Sequence, residues 1–231
     1  MVYRKRTRKT PKRSYRRRGP SKRRPAGSRK MVLYKPVIAQ TAYRKFIYSD
    51  TGFDANMAIN VDYDHVFRGN SMFDPDHTGV GVQPYGFDNL VTSHMYNTFN
   101  VVASKIKVYW YFGTGFVPQR LHCLLAPSRT ATISTDTPDI DTMPNTKHVV
   151  CNTHDGQSKM KISNYMSTRR LISNINPRSE GMQGTSGSNP SNQWYWHVFF
   201  QRDGTQTGHA MFDVKIIYYA ILSRDHAPNE S

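Results

Sequence analysis

The residues best suited to a chemical task are basic side chains crowded into the first thirty positions. Residues 1–30 hold 15 Lys and Arg and no acid, and the first carboxylate of the chain belongs to Asp50. Cations at this density neutralise phosphates and release condensed counterions, a binding mode that is largely independent of base sequence. The segment therefore predicts a nucleic-acid-binding arm. The predicted contact residues are Arg4, Lys5, Arg6, Arg8, Lys9, Lys12, Arg13, Arg16, Arg17, Arg18, Lys22, Arg23, Arg24, Arg29 and Lys30.

Two further features of the arm bear on its partners. Tyr3 and Tyr15 lie between the cations, where their rings could stack on unpaired bases. Clusters such as Lys12-Arg13 and Arg16-Arg17-Arg18 are also typical of nuclear localisation signals, so nuclear import receptors are a second expected partner. The alternative is a solvated tail with no partner. Self-repulsion among so many like charges counts against that alternative.

The rest of the chain is close to neutral. The whole sequence has 32 basic and 16 acidic residues, a net charge of +16, so residues 31–231 carry 17 basic and 16 acidic groups. A body with a net charge of +1 predicts that nucleic-acid binding is confined to the arm.

Motifs for catalysis and metal binding are absent from the sequence. It contains no P-loop, no His-Glu-x-x-His and no Gly-x-Ser-x-Gly, and its nine histidines are scattered singly. Asp74-Pro-Asp76-His77-Thr78-Gly79 matches the first half of a calcium loop, but the twelfth position is Tyr85 instead of a carboxylate. We expect a turn there, with a weak divalent-ion site as the alternative. No enzyme, cofactor or metal is predicted, although metal-dependent cleavage through Asp74 would be the chemistry to test.

Cysteine content and hydropathy narrow the protein class further. Two cysteines, Cys123 and Cys151, exclude a disulfide scaffold, and we expect both to be buried. No apolar run approaches the roughly 18 residues of a membrane span, and the N-terminus lacks the apolar region of a secretory signal. We expect no membrane insertion.

The elements that must position these residues are predicted to be strands. Only two glutamates occur, whereas Thr, Val, Ile, Tyr and Phe are plentiful. Eight candidate strands follow, which fit a two-sheet sandwich or barrel. They are Thr41–Tyr48, Ala58–Phe67, Asn100–Phe112, Arg120–Ala126, Lys147–Cys151, Lys159–Tyr165, Gln193–Gln201 and Phe212–Leu222.

Alternation along three of these strands predicts which side chains face the core. The apolar sets are Ile106/Val108/Trp110/Phe112, Trp194/Trp196/Val198/Phe200 and Val214/Ile216/Tyr218/Ala220/Leu222. Lys105 and Lys107 fall on the opposite face, where alternation does not distinguish residues that face solvent from residues that face bound nucleic acid. One helix is predicted after Gly86, with Phe87, Leu90, Val91 and Met95 on one stripe. Long loops are predicted over 68–86, 127–146 and 176–192.

Composition divides the chain into three parts. Residues 1–35 are expected to be a disordered Arg/Lys-rich arm, because they contain too little apolar surface to offset the entropy of ordering. Residues 36–225 form the predicted β domain, and 226–231 a short tail.

Three neighbouring stretches of the sequence carry a family pattern. They are Asp64-His65-Val66-Phe67-Arg68-Gly69-Asn70-Ser71-Met72-Phe73-Asp74-Pro75-Asp76, Thr78-Gly79-Val80-Gly81 and Gln83-Pro84-Tyr85-Gly86-Phe87-Asp88. Together they resemble capsid proteins of circular Rep-encoding single-stranded DNA viruses, the circovirus-like group. Tyr96-Asn97, Val102–Val108 and Tyr165-Met166-Ser167-Thr168 extend the resemblance, which spans most of 40–222. The arm and the loops depart from those of animal circoviruses.

The resemblance implies an all-β, eight-stranded viral jelly roll that self-assembles into a T=1 shell of roughly sixty copies. It also implies an arm that packages the single-stranded DNA genome and directs nuclear import, with virion and host nucleus as locations. A host attachment receptor is implied but not specified. The alternative is a non-capsid viral or ribosomal-type nucleic-acid-binding protein.

Overall fold

The computed structural model describes residues 39–57, 62–93, 95–112, 120–152, 159–172, 176–202 and 208–224. Nine strands and two short α-helices account for most of this part of the chain. The strands are β1 Thr41–Met57, β2 Tyr63–Arg68, β3 Thr98–Phe112, β4 Arg120–Ser128, β5 Lys147–Asn152, β6 Lys159–Ser167, β7 Gln183–Thr185, β8 Tyr195–Arg202 and β9 Gly208–Ser223. The helices are α1 Thr137–Thr142 and α2 Thr168–Leu171.

The strands form two antiparallel sheets with the strand order of a jelly roll. One sheet has the order β1-β9-β3-β6, with the short β7 also paired to β3, and the other has the order β2-β8-β4-β5. The first long strand therefore pairs with the last, the second with the last but one, and the chain passes repeatedly between sheets. This is the double Greek-key arrangement of eight long strands, and it confirms the predicted fold.

The core lies between the two sheets, and the predicted apolar faces line it. Trp110, Trp196 and Tyr218 are each at most 1% exposed. Two hydrogen bonds from buried side chains join the sheets: Trp196 Nε1 donates to Ser104 Oγ at 2.9 Å, and the Tyr218 hydroxyl donates to the Arg68 carbonyl at 2.8 Å. Both cysteines are buried, as expected.

Strand boundaries differ from the prediction where local signals are weak. The second strand begins at Tyr63, later than the predicted Ala58, and residues 58–61 lie outside the described part. The first strand continues to Met57 through a bulge between Asp50 and Phe53, where Gly52 has a φ of +80°. Since only glycine adopts this φ easily, the bulge is encoded locally, but the pairing beyond it with β9 is not.

The predicted helix after Gly86 is a single π-helical turn, Asp88–Thr92. Phe87 and Val91 are fully buried, in agreement with the predicted stripe, but Met95 is 38% exposed, so the prediction for that residue is wrong. Two of the predicted loops also contain elements. The 127–146 connection contains α1, and the 176–192 connection contains a 3₁₀ turn and β7. Among the described helices, none is long and apolar enough to cross a membrane.

The outer face of the four-stranded sheet is covered by another part of the described chain, whereas that of the five-stranded sheet is not. The connection between β4 and β5 folds over the four-stranded sheet, where Ile140 of α1 packs on Leu124, Ala126 and Phe199 in a small second core. No described element covers the outer face of the five-stranded sheet in this way. That open face is where the side chains of functional interest gather.

Candidate nucleic-acid interface

The fifteen basic residues of the predicted arm all lie outside the described residues, so their contact role stays a prediction. Instead, the structure brings together a second basic surface. Of the seven lysines in the described part of the chain, six lie on the outer face of the five-stranded sheet, together with five tyrosines. We name this surface the lysine–tyrosine face. It consists of Lys45, Lys105, Lys107, Lys159, Lys161 and Lys215 with Tyr43, Tyr109, Tyr111, Tyr165 and Tyr219.

Strand alternation and pairing build this face. Successive side chains of a strand point to opposite sides, so the apolar set of β3 that enters the core leaves Lys105, Lys107, Tyr109 and Tyr111 outside. The register then aligns equivalent positions of the neighbouring strands: Lys105 lies opposite Tyr165 of β6, and Tyr109 lies opposite Lys161. Lysines and tyrosines therefore face one another across neighbouring strands.

The central row of the face opposes two like charges. Lys107 of β3 pairs directly with Lys215 of β9, and the flanking residues of the same row are Ser49 and Ser163. Like charges directly across a sheet destabilise it. None of the six lysines forms an ion pair within the described residues. This row of the sheet therefore carries a positive charge that no acidic side chain compensates.

Two carboxylates reach the same face, and both have partners. Asp54 lies 3.1 Å from His209 Nδ1, and Asp213 accepts a hydrogen bond from the Gly52 amide at 3.0 Å. They belong to β1 and β9, whereas β3 and β6 contain no acidic residue. The β3–β6 half is therefore purely cationic.

The tyrosine rings are accessible from solvent. Tyr43 and Tyr165 are 59% and 55% exposed, and the Lys161 ammonium lies 5.1 Å from the centre of the Tyr109 ring. Burial raises the pKa of Tyr43, and the nearby Tyr165 and Tyr219 raise it further. The Tyr43 phenol is therefore neutral at physiological pH and adds no negative charge to the face.

A hollow of about 370 Å³ lies at the β6 edge of the face. Lys105 of β3, Lys147 of β5 and Arg170 of α2 converge on it, and no carboxylate lines it. Its floor is fixed by Asn164, which donates to the carbonyls of Leu125 at 3.1 Å and Asn145 at 2.7 Å. Three cations from three elements thus surround one concave site.

The acidic motif of the β2–β3 connection is a turn, as the sequence predicts. Asp76 is buried, and its Oδ1 accepts hydrogen bonds from His65 Nε2 at 2.8 Å and from the amides of Thr78 and Gly79. Burial acts to raise the pKa of Asp76, but these hydrogen bonds outweigh it and hold the pKa below its ordinary value. Asp74 pairs with Arg68 at 2.6 Å. Both carboxylates are engaged by the protein, and no group of three or more metal-ligating side chains occurs among the described residues.

The same connection exposes an apolar segment. Val80, Val82 and Tyr85 are 96%, 74% and 93% exposed, beside a hollow of about 690 Å³. Large apolar side chains left in solvent mark surfaces that bind another protein. This segment, residues 79–86, is a candidate contact surface.

Reasoning from the sequence missed the lysine–tyrosine face. The net charge of +1 for residues 31–231 conceals it, because acids such as Asp64, Asp136 and Asp139 belong to the other sheet and to the connection that covers it. The available signal was the grouping of Lys and Tyr at the outward positions of β3 and β6. Its meaning depends on the two strands being neighbours.

No protein-family model and no curated protein matches the sequence. Among solved structures, the chain is similar to the decameric BFDV capsid protein, with 12% identity and a TM-score of 0.42 over 80% of this chain and 99% of that chain. The Cocksfoot mottle virus structure matches with 10% identity and a TM-score of 0.44 over 81% and 97% of the two chains. The virus-like particle of Macrobrachium rosenbergii nodavirus matches with 6% identity and a TM-score of 0.43 over 90% and 97%.

Proposed function

We propose that this chain is the coat protein of a small circular single-stranded DNA virus, and that its jelly-roll body self-associates into a closed shell around the genome. The observation that carries the proposal is the combination of an antiparallel jelly roll with a separate segment of 15 cations and no acid. In such a coat protein, the body binds other copies of the chain, and the arm binds the phosphate backbone of the genome. A T=1 shell of roughly sixty copies would direct about 900 arm charges at the genome.

Self-association needs an exposed apolar surface, and segment 79–86 supplies one. Val80, Val82 and Tyr85 belong to a connection whose base is held by the Asp76 and Asp74 interactions, so the apolar side chains project from a fixed support. Because preorganised segments lose little entropy on association, such a connection suits a repeated contact between subunits.

The arm would serve transport as well as packaging. Its basic clusters fit the acidic binding surfaces of nuclear import receptors, so we propose that the free protein enters the host nucleus before assembly. Fusing residues 1–30 to a fluorescent protein tests this step. Nuclear accumulation that disappears in a fusion with Arg16, Arg17 and Arg18 changed to Ala is the expected result, and uniform distribution of the unaltered fusion would contradict it.

Assembly is tested by electron microscopy and sedimentation of the full chain with and without circular single-stranded DNA. We expect closed particles of uniform size, with DNA protected from nuclease. Val82→Asp is expected to abolish particles while leaving DNA binding intact, and Thr132→Asp, on an exposed connection elsewhere, is the matched control. A protein that stays monomeric over a wide range of salt and pH would overturn the proposal.

The alternative is a non-capsid nucleic-acid-binding protein, and the lysine–tyrosine face is the observation that favours it. Deletion of residues 1–30 separates the two functions. A coat protein without its arm should keep self-association, whereas a binding module should stay monomeric and keep most of its affinity for DNA.

A further inference from the structure

We propose that the lysine–tyrosine face is itself a sequence-independent binding surface for single-stranded nucleic acid, distinct from the arm. In the coat-protein function proposed above, it is the side of the jelly roll that is turned toward the genome. This orientation rests on the proposed function, whereas binding by the face does not.

The charge distribution gives the first argument. All seven described lysines lie on or beside this face, since Lys147, the one outside it, lines the adjoining hollow. Lys107 and Lys215 oppose each other in a row that contains no acid. Placing like charges across a sheet is unfavourable in the free protein, and a bound polyanion relieves the repulsion. The face is therefore better suited to an anion-bound state than to an unoccupied one.

The tyrosines give the second argument and specify the polyanion. Tyr109, Tyr111 and Tyr165 are each at least 39% exposed and stand among Lys105, Lys159 and Lys161 on the acid-free β3–β6 half. Exposed aromatic rings placed among cations bind single strands, because the rings stack on unpaired bases while the cations hold the backbone. A duplex keeps its bases stacked internally, so this arrangement favours a single strand.

The hollow at the β6 edge gives the third argument. Lys105, Lys147 and Arg170 converge there beside Tyr165, and the volume of about 370 Å³ lies at the lower end of the range for small-molecule sites. A backbone phosphate in the hollow would have three cationic neighbours while its base lay against Tyr165. From Tyr165 along β6 to Lys159 the strand spans about 20 Å, so several consecutive nucleotides could follow this edge.

The contrast between the two sheets gives the fourth argument. The outer face of the four-stranded sheet is closed by the β4–β5 connection, which carries Asp136, Asp139 and Asp141. A polyanion is attracted to one side of the domain and repelled from the other. The fold thus gives each subunit a defined electrostatic orientation relative to an enclosed genome.

Photo-crosslinking of the full chain to a 5-iodouracil-substituted single-stranded oligonucleotide tests the face directly. Binding at this surface predicts crosslinked peptides containing Tyr109, Tyr111 or Tyr165, identified by mass spectrometry. If crosslinks occur only at Tyr3 and Tyr15 of the arm, or if none occur, the proposal is overturned. Electron microscopy of the same preparation shows separately whether particles form. A failure of the coat-protein proposal can therefore be distinguished from a failure of the proposed binding face.

The dependence of affinity on salt gives a second readout in the full chain. Each phosphate contact contributes about 0.7 to the slope of log K against log[salt] for single strands. The Lys107→Gln/Lys215→Gln variant should therefore lower the slope by about 1.4. The matched control is Arg120→Gln/Arg178→Gln, which removes two cations from positions outside the face and should leave the slope unchanged. Equal slopes for the unaltered protein and both variants would contradict the proposal, provided circular dichroism shows that each variant is folded.

Base stacking separates nucleic acid from other polyanions. Tyr165→Leu should weaken binding of an oligothymidylate about fivefold or more, and should leave binding of heparin and of an abasic oligomer of equal charge unchanged. A variant that binds all three probes with unaltered affinity, or loses all three equally, would show that the face does not read bases and would overturn its assignment to nucleic acid.

Discussion

The substitution Lys215→Glu should stabilise the folded protein while weakening its hold on single-stranded DNA. Lys215 of β9 lies directly opposite Lys107 of β3, in a row completed by Ser49 and Ser163, so no carboxylate offsets the repulsion. The nearest acid along β9, Asp213, is already bound to the Gly52 amide. A glutamate at position 215 would replace a like-charge pair by a cross-strand ion pair.

The magnitude follows from the exposure and the register of the pair. Cross-strand charge pairs contribute about 0.2–1 kcal/mol each, and the substitution both removes a repulsion and adds an attraction, so we expect a gain of about 0.5–1.5 kcal/mol. For a protein of this size, that gain corresponds to a rise in Tm of about 1–6 °C. Lys215→Gln removes only the repulsion and should give about half the gain. In the same variants, affinity for single-stranded DNA should fall, because the row loses one or two units of positive charge.

The assay is thermal unfolding of the unassembled protein at about 0.05 M and about 1 M salt. At 1 M salt the Debye length shrinks to about 3 Å, and the stability difference between variant and parent should largely vanish. A lower Tm for Lys215→Glu, or a gain that persists unchanged at high salt, would refute the reasoning. The first outcome would mean that Lys215 has a stabilising partner, and the second that the gain comes from packing or strand propensity instead of charge.

Three further perturbations test the interior and the covered sheet. Trp196→Ala should cost about 3–5 kcal/mol in urea unfolding, since Trp196 is fully buried and bonds Ser104 across the sheets; a change within about 0.5 kcal/mol would contradict this packing. Asp76→Asn should cost about 1–3 kcal/mol at pH 7 by leaving buried donors poorly paired. Because the folded pKa of Asp76 is below its ordinary value of 3.8, its stabilisation is complete above about pH 4 and is lost on acidification, so the difference between parent and Asp76→Asn in urea midpoints should shrink below pH 4. His197, whose ring nitrogens lie 2.8 Å from Asp64 and 3.0 Å from the Thr130 carbonyl, anchors the connection over the four-stranded sheet; His197→Leu should speed amide exchange across 129–146 but not in β3, and unchanged exchange there would disprove the anchoring role.

Much of the fold was predictable because strand alternation is a local property. The sets containing Val108, Trp196 and Ile216 each repeat with a period of two, and each set enters the core as predicted. Turn residues were equally informative: Asp76, Thr78 and Gly79 form the hydrogen-bonded turn that their types suggest.

Features that depend on distant partners were less predictable. The helical stripe after Gly86 correctly placed Phe87 and Val91 but not Met95, since the helix ends after one turn and the chain turns toward β3. The short strand β7 was missed because three residues carry no period, and its existence depends on β3 lying beside it.

Charge density and alternation depend on neighbouring residues, so the sequence alone predicts the basic segment, the long strands and the side of each long strand that faces the core. It also places Lys107 outside the core. The pairing of Lys107 with Lys215, and of Tyr109 with Lys161, depends on the tertiary structure, since strand order joins residues separated by dozens of positions. Side-chain direction is fixed by the local backbone, whereas a surface is assembled by long-range pairing. A body with almost no net charge thereby acquires one strongly basic face.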